Sequence, residues 1–336
     1  AKEHTAEHVI LAVGASATPL PGAAFDDQRI ITSRQAMSLK TQPKRLAIVG
    51  AGAIGCEFAD FYNAIGTEVT VVEMLDHLLP IEDQDVSILL ERSFVRRGIK
   101  VFTKTRTEKV EKTADGVRLT LSGTPGQSFE ADAVLVAIGV SGNAASAVDP
   151  ASGLVVERGR IRIAPDGKTN LENVWALGDC VILAQQPGGV RHPDLAHVAH
   201  HEAVSCVERI CGLPSHPMDY AFVPGCTYTH PQGASLGLTE KRAHEMKRSI
   251  RIGKFPSTAS GRALAAGGPG DGNGVLHVAG AGTRPVDRRP HGPVLARRRA
   301  LPEGDRRPAL PRRHAAGRLR GDPEPPAAAA RGGQRV

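Results

Sequence analysis

The chain has 336 residues, room for about two domains, and its 41% hydrophobic but only 4% aromatic content supports a core that is mostly aliphatic. No run approaches the roughly 18 consecutive apolar residues of a membrane-spanning helix, and no signal peptide opens the chain. The opening AKEHTAEHVI reads like the inside of a domain, so a soluble, cytoplasmic protein with a missing beginning is expected. The net charge of +7 is concentrated at one end. From Gly268 to Val336 there are 14 Arg, no Lys, four Asp and two Glu, a net of +8, which leaves −1 for the remaining residues. A neutral body does not favour nucleic acid as a partner. The five cysteines, Cys56, Cys180, Cys206, Cys211 and Cys226, follow no regular framework and suit a reducing compartment.

In chain order, His8 to Val13 (HVILAV) is expected to be a buried strand closed by Gly14, and Arg34 to Leu39 a short helix before Pro43. Arg45 to Val49 (RLAIV) is an apolar strand. The Gly-rich turn Gly50 to Gly55 leads into a helix running to Ile65 and stopped by Gly66. Glu68 to Val72 (EVTVV) is the next strand, Val86 to Arg97 an amphipathic helix, and Lys100 to Phe102 the start of another strand. Val117 to Ser122 and the segment near Phe129 suggest a small antiparallel meander, and Ala133 to Ile138 returns to a buried strand. Strands alternating with helices predict a parallel α/β sheet. Arg160 to Ile163 and Val174 to Leu177 are short strands. Ala196 to Cys211 is a helix, Tyr220 to Thr229 a strand of a different unit, and a short helix starts at Thr239. Beyond about Gly267 there are ten Pro, no Lys, no Ile and no aromatics, and no countable period, which predicts disorder.

Gly50-Ala51-Gly52-Ala53-Ile54-Gly55 fits G-x-G-x-x-G in the context the motif needs: apolar strand before, helix after, second strand ending in an acid. Gly50 permits the tight turn, Gly52 the approach of a pyrophosphate, and Gly55 close packing of helix on strand. The phosphates would sit on the helix N-terminus, where free N–H groups and the macrodipole favour an anion. Glu73 ends the second strand, placed for a ribose 2′-hydroxyl. Its charge would repel a 2′-phosphate, so NAD is favoured over NADP.

Gly50 to Ser87 (GAGAIGCEFADFYNAIGTEVTVVEMLDHLLPIEDQDVS) resembles the NAD-binding unit of dihydrolipoamide dehydrogenases, within the pyridine nucleotide-disulfide oxidoreductases. Thr169 to Asp179 (TNLENVWALGD) is similar to that family's second FAD motif, Leu195-Ala196-His197 to the segment passing along the flavin, and Ala137-Ile138-Gly139 to the crossing back from the NAD domain. Ile10 to Gly22 resembles the strand and loop at the FAD–NAD junction, with Val13 where the family has Thr, and Val140 stands where an Arg usually follows the glycine. Tyr228 to Ala243 (YTHPQGASLGLTEKRA) resembles the opening of the dimerisation domain.

The resemblance implies a Rossmann-like NAD-binding domain (residues 43–142) inserted in a partial FAD-binding domain (1–42 and 143–216), the start of an α+β dimerisation domain (217–267) and a disordered tail (268–336). It implies NAD binding by Gly50, Ala51, Gly52, Ala53, Ile54, Gly55, Glu57, Glu73 and Gly139, with Glu57 near the nicotinamide. It implies a partial FAD site at Gly14, Gly178, Asp179, Leu195, Ala196 and His197, with Asp179 on the ribityl chain. The implied activity is dihydrolipoyl dehydrogenase, the E3 component of 2-oxo acid dehydrogenase complexes. The implied partners are a second subunit and lipoyl domains. Alternatives are another flavin disulfide reductase of the glutathione or mercuric reductase type, and a non-catalytic nucleotide-binding module with a basic arm.

The family's redox pair, C-x4-C, does not precede Ala1, and its terminal His-Pro-His-Pro-Thr segment is not found. No catalytic residue is therefore assigned, and an N-terminal truncation with a C-terminal frameshift is expected. Cys206 and Cys211 share the C-x4-C spacing. On a helix, however, they would stand about 140° apart with Cα atoms roughly 8–9 Å apart, beyond a disulfide's reach of about 7 Å. His197, His200 and His201 lack a surrounding zinc pattern, so no metal is assigned. Cys56, at the turn-to-helix junction, reads as a small packing residue.

Overall fold

In the computed structural model, which describes residues 4–123, 127–184, 192–256 and 275–280, β1 (Val9–Leu11) and β2 (Ala15–Ala17) flank Gly14. β1 was expected to be buried, yet Val9 and Ile10 are 41% and 39% exposed. It pairs, in parallel, only with Val174–Ala176 among the described residues, so one edge and part of its surface stay open. β3 (Ile30–Ile31) leads to α1 (Ser33–Ala36), whose N-cap Thr32 accepts the Arg34 N–H at 3.2 Å. The helix stops short of the expected Leu39, because the Ser38 hydroxyl turns back to the carbonyls of Arg34 and Gln35.

The central unit follows the sequence expectation closely. β4 (Arg45–Val49), α2 (Ala53–Ala64), β5 (Glu68–Val72), α3 (Gln84–Arg96) and β6 (Lys100–Phe102) form two consecutive β-α-β turns. β7 (Thr107–Lys112), β8 (Val117–Leu121) and β9 (Ser128–Ala131) make an antiparallel meander, and β10 (Ala133–Val136) returns to the main sheet. That sheet is parallel, in the order β3-β10-β4-β5-β6. Both its faces are covered, as parallel sheets require. Leu46, Ile48, Val69 and Val71 pack with Leu90 and Phe94 of α3, while Ala47, Val49, Val134 and Val136 pack against Val117 and Leu119 of the meander. The register sets Val49 opposite both Val72 and Val136, so the loops after β4, β5 and β10 emerge together at one end.

β11 (Val140–Gly142) pairs antiparallel with β2. After α4 (Ala144–Ala147) come β12 (Val156–Glu157), β13 (Arg160–Ile163), β14 (Val174–Ala176), β15 (Val181–Leu183) and α5 (Ala196–Ile210). Ala144, Ile161, Ile163, Ala176 and Val181 form a second small core. Cys206 is buried on α5 and Cys211 is exposed at its end; both are free, as the helical spacing predicts.

β16 (Pro224–Thr227) and β17 (Gly233–Leu236) form a hairpin, α6 (Glu240–Glu245) is capped by Thr239, and β18 (Arg251–Pro256) pairs antiparallel with β19 (Val275–Gly280). Two expectations are corrected here. Tyr220–Phe222 is a 3-10 turn capped by Asp219, so the strand starts only at Pro224. β19 falls inside the stretch 268–336 expected to be disordered: a six-residue strand needs only backbone from β18 and gives too short a pattern to read among flanking glycines. The rest of that stretch lies outside the described residues. All described residues belong to the unit Ala1–Thr283, and none of their helices is long and apolar enough to cross a membrane.

The hairpin region is clamped onto the central unit by carboxylates. Asp60 on α2, only 4% exposed, pairs with Arg97 and accepts from His230 through both N–H (3.1 Å) and Nδ1 (2.8 Å). Ser93 donates to the His230 carbonyl at 2.6 Å, and Asp83 accepts the Glu240 N–H at 2.7 Å. Burial alone would raise the Asp60 pKa, but the donors from Arg97 and His230 overcome it and hold the carboxyl below its ordinary value. A depressed carboxylate stabilises the fold above the ordinary aspartate pKa of 3.8, and that contribution disappears as pH falls through the folded value. Asp60→Ala is predicted to cost about 3–5 kcal/mol, because it leaves the Arg97 charge without its buried partner. Urea unfolding at pH 7 checks this, and the gap between native and variant should close at low pH.

Candidate functional site

The loops after β4, β5 and β10 build the first site. Gly50 adopts φ +99° and donates its N–H to the Val72 carbonyl at 2.9 Å; a Cβ there would strike the Ala137 carbonyl, so the turn and the loop after β10 touch. Ala51 is buried, and its N–H donates to Glu73 Oε2 at 2.6 Å. Glu73 Oε1 accepts the Leu75 N–H at 2.8 Å, and the residue is 7% exposed. Glu73 thus does more than end its strand: it closes the Gly-rich turn from across the sheet.

Gly52 is the N-cap of α2 and offers no side-chain cap, so the first-turn N–H groups keep no intrahelical acceptor. A Cβ at Gly52 would meet nothing within 4 Å, whereas one at Gly55 would collide with the Gly50 carbonyl. The two glycines therefore act differently, Gly52 bordering open space and Gly55 fixing the helix against the turn. Ala53 and Ile54 complete this first turn, with Ile54 exposed. These features fit a dinucleotide's pyrophosphate. Gly139 (φ +113°) follows β10, and its carbonyl accepts the Thr18 N–H at 3.0 Å. Val140 pairs through its backbone with Ala17. Glu57, one turn into α2, accepts the Tyr228 N–H at 2.8 Å.

Cys56 is a buried packing residue. Its thiol donates to the Ala51 carbonyl at 3.3 Å, and burial, reinforced by Glu73 and Glu57, pushes its pKa up to about 12.

The second site surrounds the turn Gly178–Cys180. Gly178 adopts φ +73°, and a Cβ there would press on Ala199 of α5 at 3.3 Å. Asp179 makes no side-chain hydrogen bond among the described residues, and burial with the nearby Asp194 raises its pKa. A half-buried carboxylate left without donors fits a polyol ligand such as a ribityl chain. Leu195, Ala196 and His197 form the uncapped start of α5, with Ala196 and His197 exposed. Gly14 lies before β2, its carbonyl held by the Asn143 N–H at 3.0 Å.

Sequence reasoning missed the groups that hold this turn. Glu202 on α5, 8% exposed, accepts the Gly178 N–H at 2.8 Å, the Tyr220 hydroxyl at 2.6 Å and His192 Nε2 at 2.8 Å. Arg160 grips Asp194 through two bonds (2.6 and 2.9 Å) and donates to the Asp179 carbonyl at 2.8 Å. One signal was available: Glu202 stands four residues from both Val198 and Cys206, an acid in the buried stripe of the helix.

A Gly-rich turn closing a parallel β-α-β unit, beside a separate glycine–aspartate turn, is the layout of a dinucleotide-dependent oxidoreductase. The chain belongs to the pyridine nucleotide-disulphide oxidoreductase family, whose model matches residues 1–203, with the model of the family's dimerisation domain matching residues 223–279. That second match runs past Gly267, where the family likeness was expected to stop, and takes in most of β19. The chain is similar to dihydrolipoyl dehydrogenases of Rhizobium etli (41% identical, covering 79% of this chain and 54% of the relative) and Zymomonas mobilis (37%, covering 78% and 55%). Its fold is similar to that of LpdA from Mycobacterium tuberculosis, at TM-score 0.69 and 31% identity, covering 78% of this chain and 55% of that one. The chain therefore spans about half the length of the curated relatives it matches.

Thiol reactivity tests the burial at both sites. In the folded chain Cys211 and Cys226 are predicted to alkylate first, and Cys56, Cys180 and Cys206 only after denaturation. Mass spectrometry after iodoacetamide treatment at pH 8 reads this directly.

Proposed function

We propose that this chain is the NAD-binding and partial FAD-binding portion of a dihydrolipoyl dehydrogenase. Gly52, Ala53, Ile54 and Gly55 at the start of α2 receive the NAD pyrophosphate. Gly50 and Ala51, whose N–H groups are held by Val72 and Glu73, shape the turn beneath it. Glu73 takes the adenine ribose, and Glu57 and Gly139 border the nicotinamide end. The observation that carries this reading is the Gly-rich turn closed by Glu73 from the neighbouring strand. Ala51 and Leu75 already occupy one lone pair on each carboxylate oxygen, and the remaining lone pairs can accept from ribose hydroxyls. A 2′-phosphate would meet this same fixed negative charge, so NAD is preferred.

Gly14, Gly178, Asp179, Leu195, Ala196 and His197 are the residues of this chain that would contact FAD. When bound, FAD would relay electrons between a thiol pair and NAD. The chain's own residues bind and orient the two nucleotides, and none is assigned the thiol chemistry. Residues 43–142 are read as the NAD domain, residues 1–42 and 143–216 as FAD-domain segments, and the hairpin of β16 and β17 as part of the surface where a second subunit joins. The whole protein would serve in the cytoplasm as the E3 component of a 2-oxo acid dehydrogenase complex, meeting its lipoyl domains. Similarity to dihydrolipoyl dehydrogenases at 41% and 37% identity, over about half of their length, supports this assignment.

NADH fluorescence titration tests the nucleotide reading. The chain should bind NADH in clear preference to NADPH. Glu73→Gln should weaken NADH by about tenfold, the size of one charge-assisted hydrogen bond, and narrow the preference. Equal affinity for the two nucleotides in the native chain would reject it.

A further inference from the structure

Two backbone groups flank the side chain of Asp179, and each is held from a different side. The Gly178 N–H donates to Glu202, and the Asp179 carbonyl accepts from Arg160. The carboxylate between them accepts no hydrogen bond among the described residues, so the turn is held through its backbone and open in its side chain. That combination belongs to a preorganised ligand contact.

Glu202 is an unusual anchor, being a carboxylate on the buried face of α5. Burial would raise its pKa, but His192, Tyr220 and the Gly178 N–H hold it low and ionised. The compensating charge comes from His192, whose side chain is 3% exposed. Burial opposes a charge on this ring, yet Asp194 and Glu202 outweigh it and raise the pKa to about 9. Its Nε2 donates to Glu202, while Nδ1 stands 3.8 Å from Asp194, an electrostatic contact rather than a hydrogen bond. The groups facing His192 are Glu202 from α5, Asp194 from the preceding loop, Tyr220 from the 3-10 turn and Asp179 from its own turn, with Arg160 of β13 behind Asp194. Three carboxylates against one arginine make the histidine cation the second positive charge of the cluster, which brings it to within one charge of neutrality.

We propose that Glu202, balanced by His192 and Tyr220, is a positioning residue that holds the Gly178–Asp179 backbone so that the Asp179 carboxylate is presented to the flavin. This rests on the flavin reading of Asp179 given above, and adds to it residues outside every motif in the chain. Loss of the proton from His192 leaves Glu202, Asp179 and Asp194 facing one another with only Arg160 in balance. The turn then loosens, and an anionic dinucleotide is repelled.

The sign follows from the raised pKa: the histidine cation contributes fully below 6.5, and the contribution is lost as pH rises through about 9.

The test uses the full chain, 15N-labelled, beside His192→Gln and Glu202→Gln. In the native chain the Gly178 amide resonance should move between pH 7 and 10, with the midpoint set by His192, and in His192→Gln it should stay still. A Gly178 amide that is unresponsive in the native chain, or equally responsive in His192→Gln, overturns the proposal.

FAD titration by flavin fluorescence at pH 7.5 supplies the second arm. Native chain should bind at least about tenfold more tightly than Glu202→Gln, as expected for loss of a charge-assisted bond to the turn. His192→Gln should fall between them and lose the weakening that the native chain shows above pH 9. Equal FAD affinity in all three overturns the positioning role alone. No FAD binding by the native chain at any pH overturns the flavin reading together with it.

Discussion

The Glu73 carboxylate bonded to the Ala51 N–H is the joint on which the proposed nucleotide site depends. It ties the end of one parallel strand to the turn that leaves its neighbour, and so fixes the turn without using the helix N-terminus. Had a side chain capped α2, the first-turn N–H groups would already be satisfied. Instead the N-cap is a glycine with open space beside it, and the negative charge is supplied from the side. The consequence is an uncapped helix start beside a fixed carboxylate, which suits the pyrophosphate and ribose proposed to bind there.

The second turn solves the same problem with different groups. Gly178 is held by a buried glutamate from a helix, Asp179 by an arginine from a strand, and the aspartate side chain is kept free. Buried charge of this kind is costly unless each member is paired. Glu202 meets that condition with three donors and Asp194 with two bonds from Arg160, while the Asp179 carboxylate and His192 Nδ1 are left without a hydrogen bond among the described residues. The two sites are linked through the chain itself: β11 pairs with β2 directly after Gly139, and the hairpin region is clamped to the helix that starts at Gly52.

The β-α-β unit from β4 to β6 was legible in the sequence because its signals are local. An apolar strand, three glycines at fixed offsets and an acid at the end of the next strand each report on their own neighbourhood. What failed was non-local. HVILAV reads as buried, but burial of a strand depends on how many neighbours flank it, and β1 has one among the described residues. β19 was invisible because its partner lies some twenty residues earlier and its pattern is six residues long. Glu202 went unremarked because its role comes from Gly178, His192 and Tyr220, which the fold alone brings together. The acid in an otherwise apolar stripe was readable, but its partners were not.

The decisive experiment is amide-resolved NMR of the 15N-labelled chain titrated with NAD+ and, separately, with NADP+. NAD+ should shift the amides of Gly50 to Gly55 together with that of Leu75, and NADP+ at the same concentration should leave them nearly unmoved. Shifts confined to other parts of the chain, or an equal response to both nucleotides, would contradict the proposed NAD site.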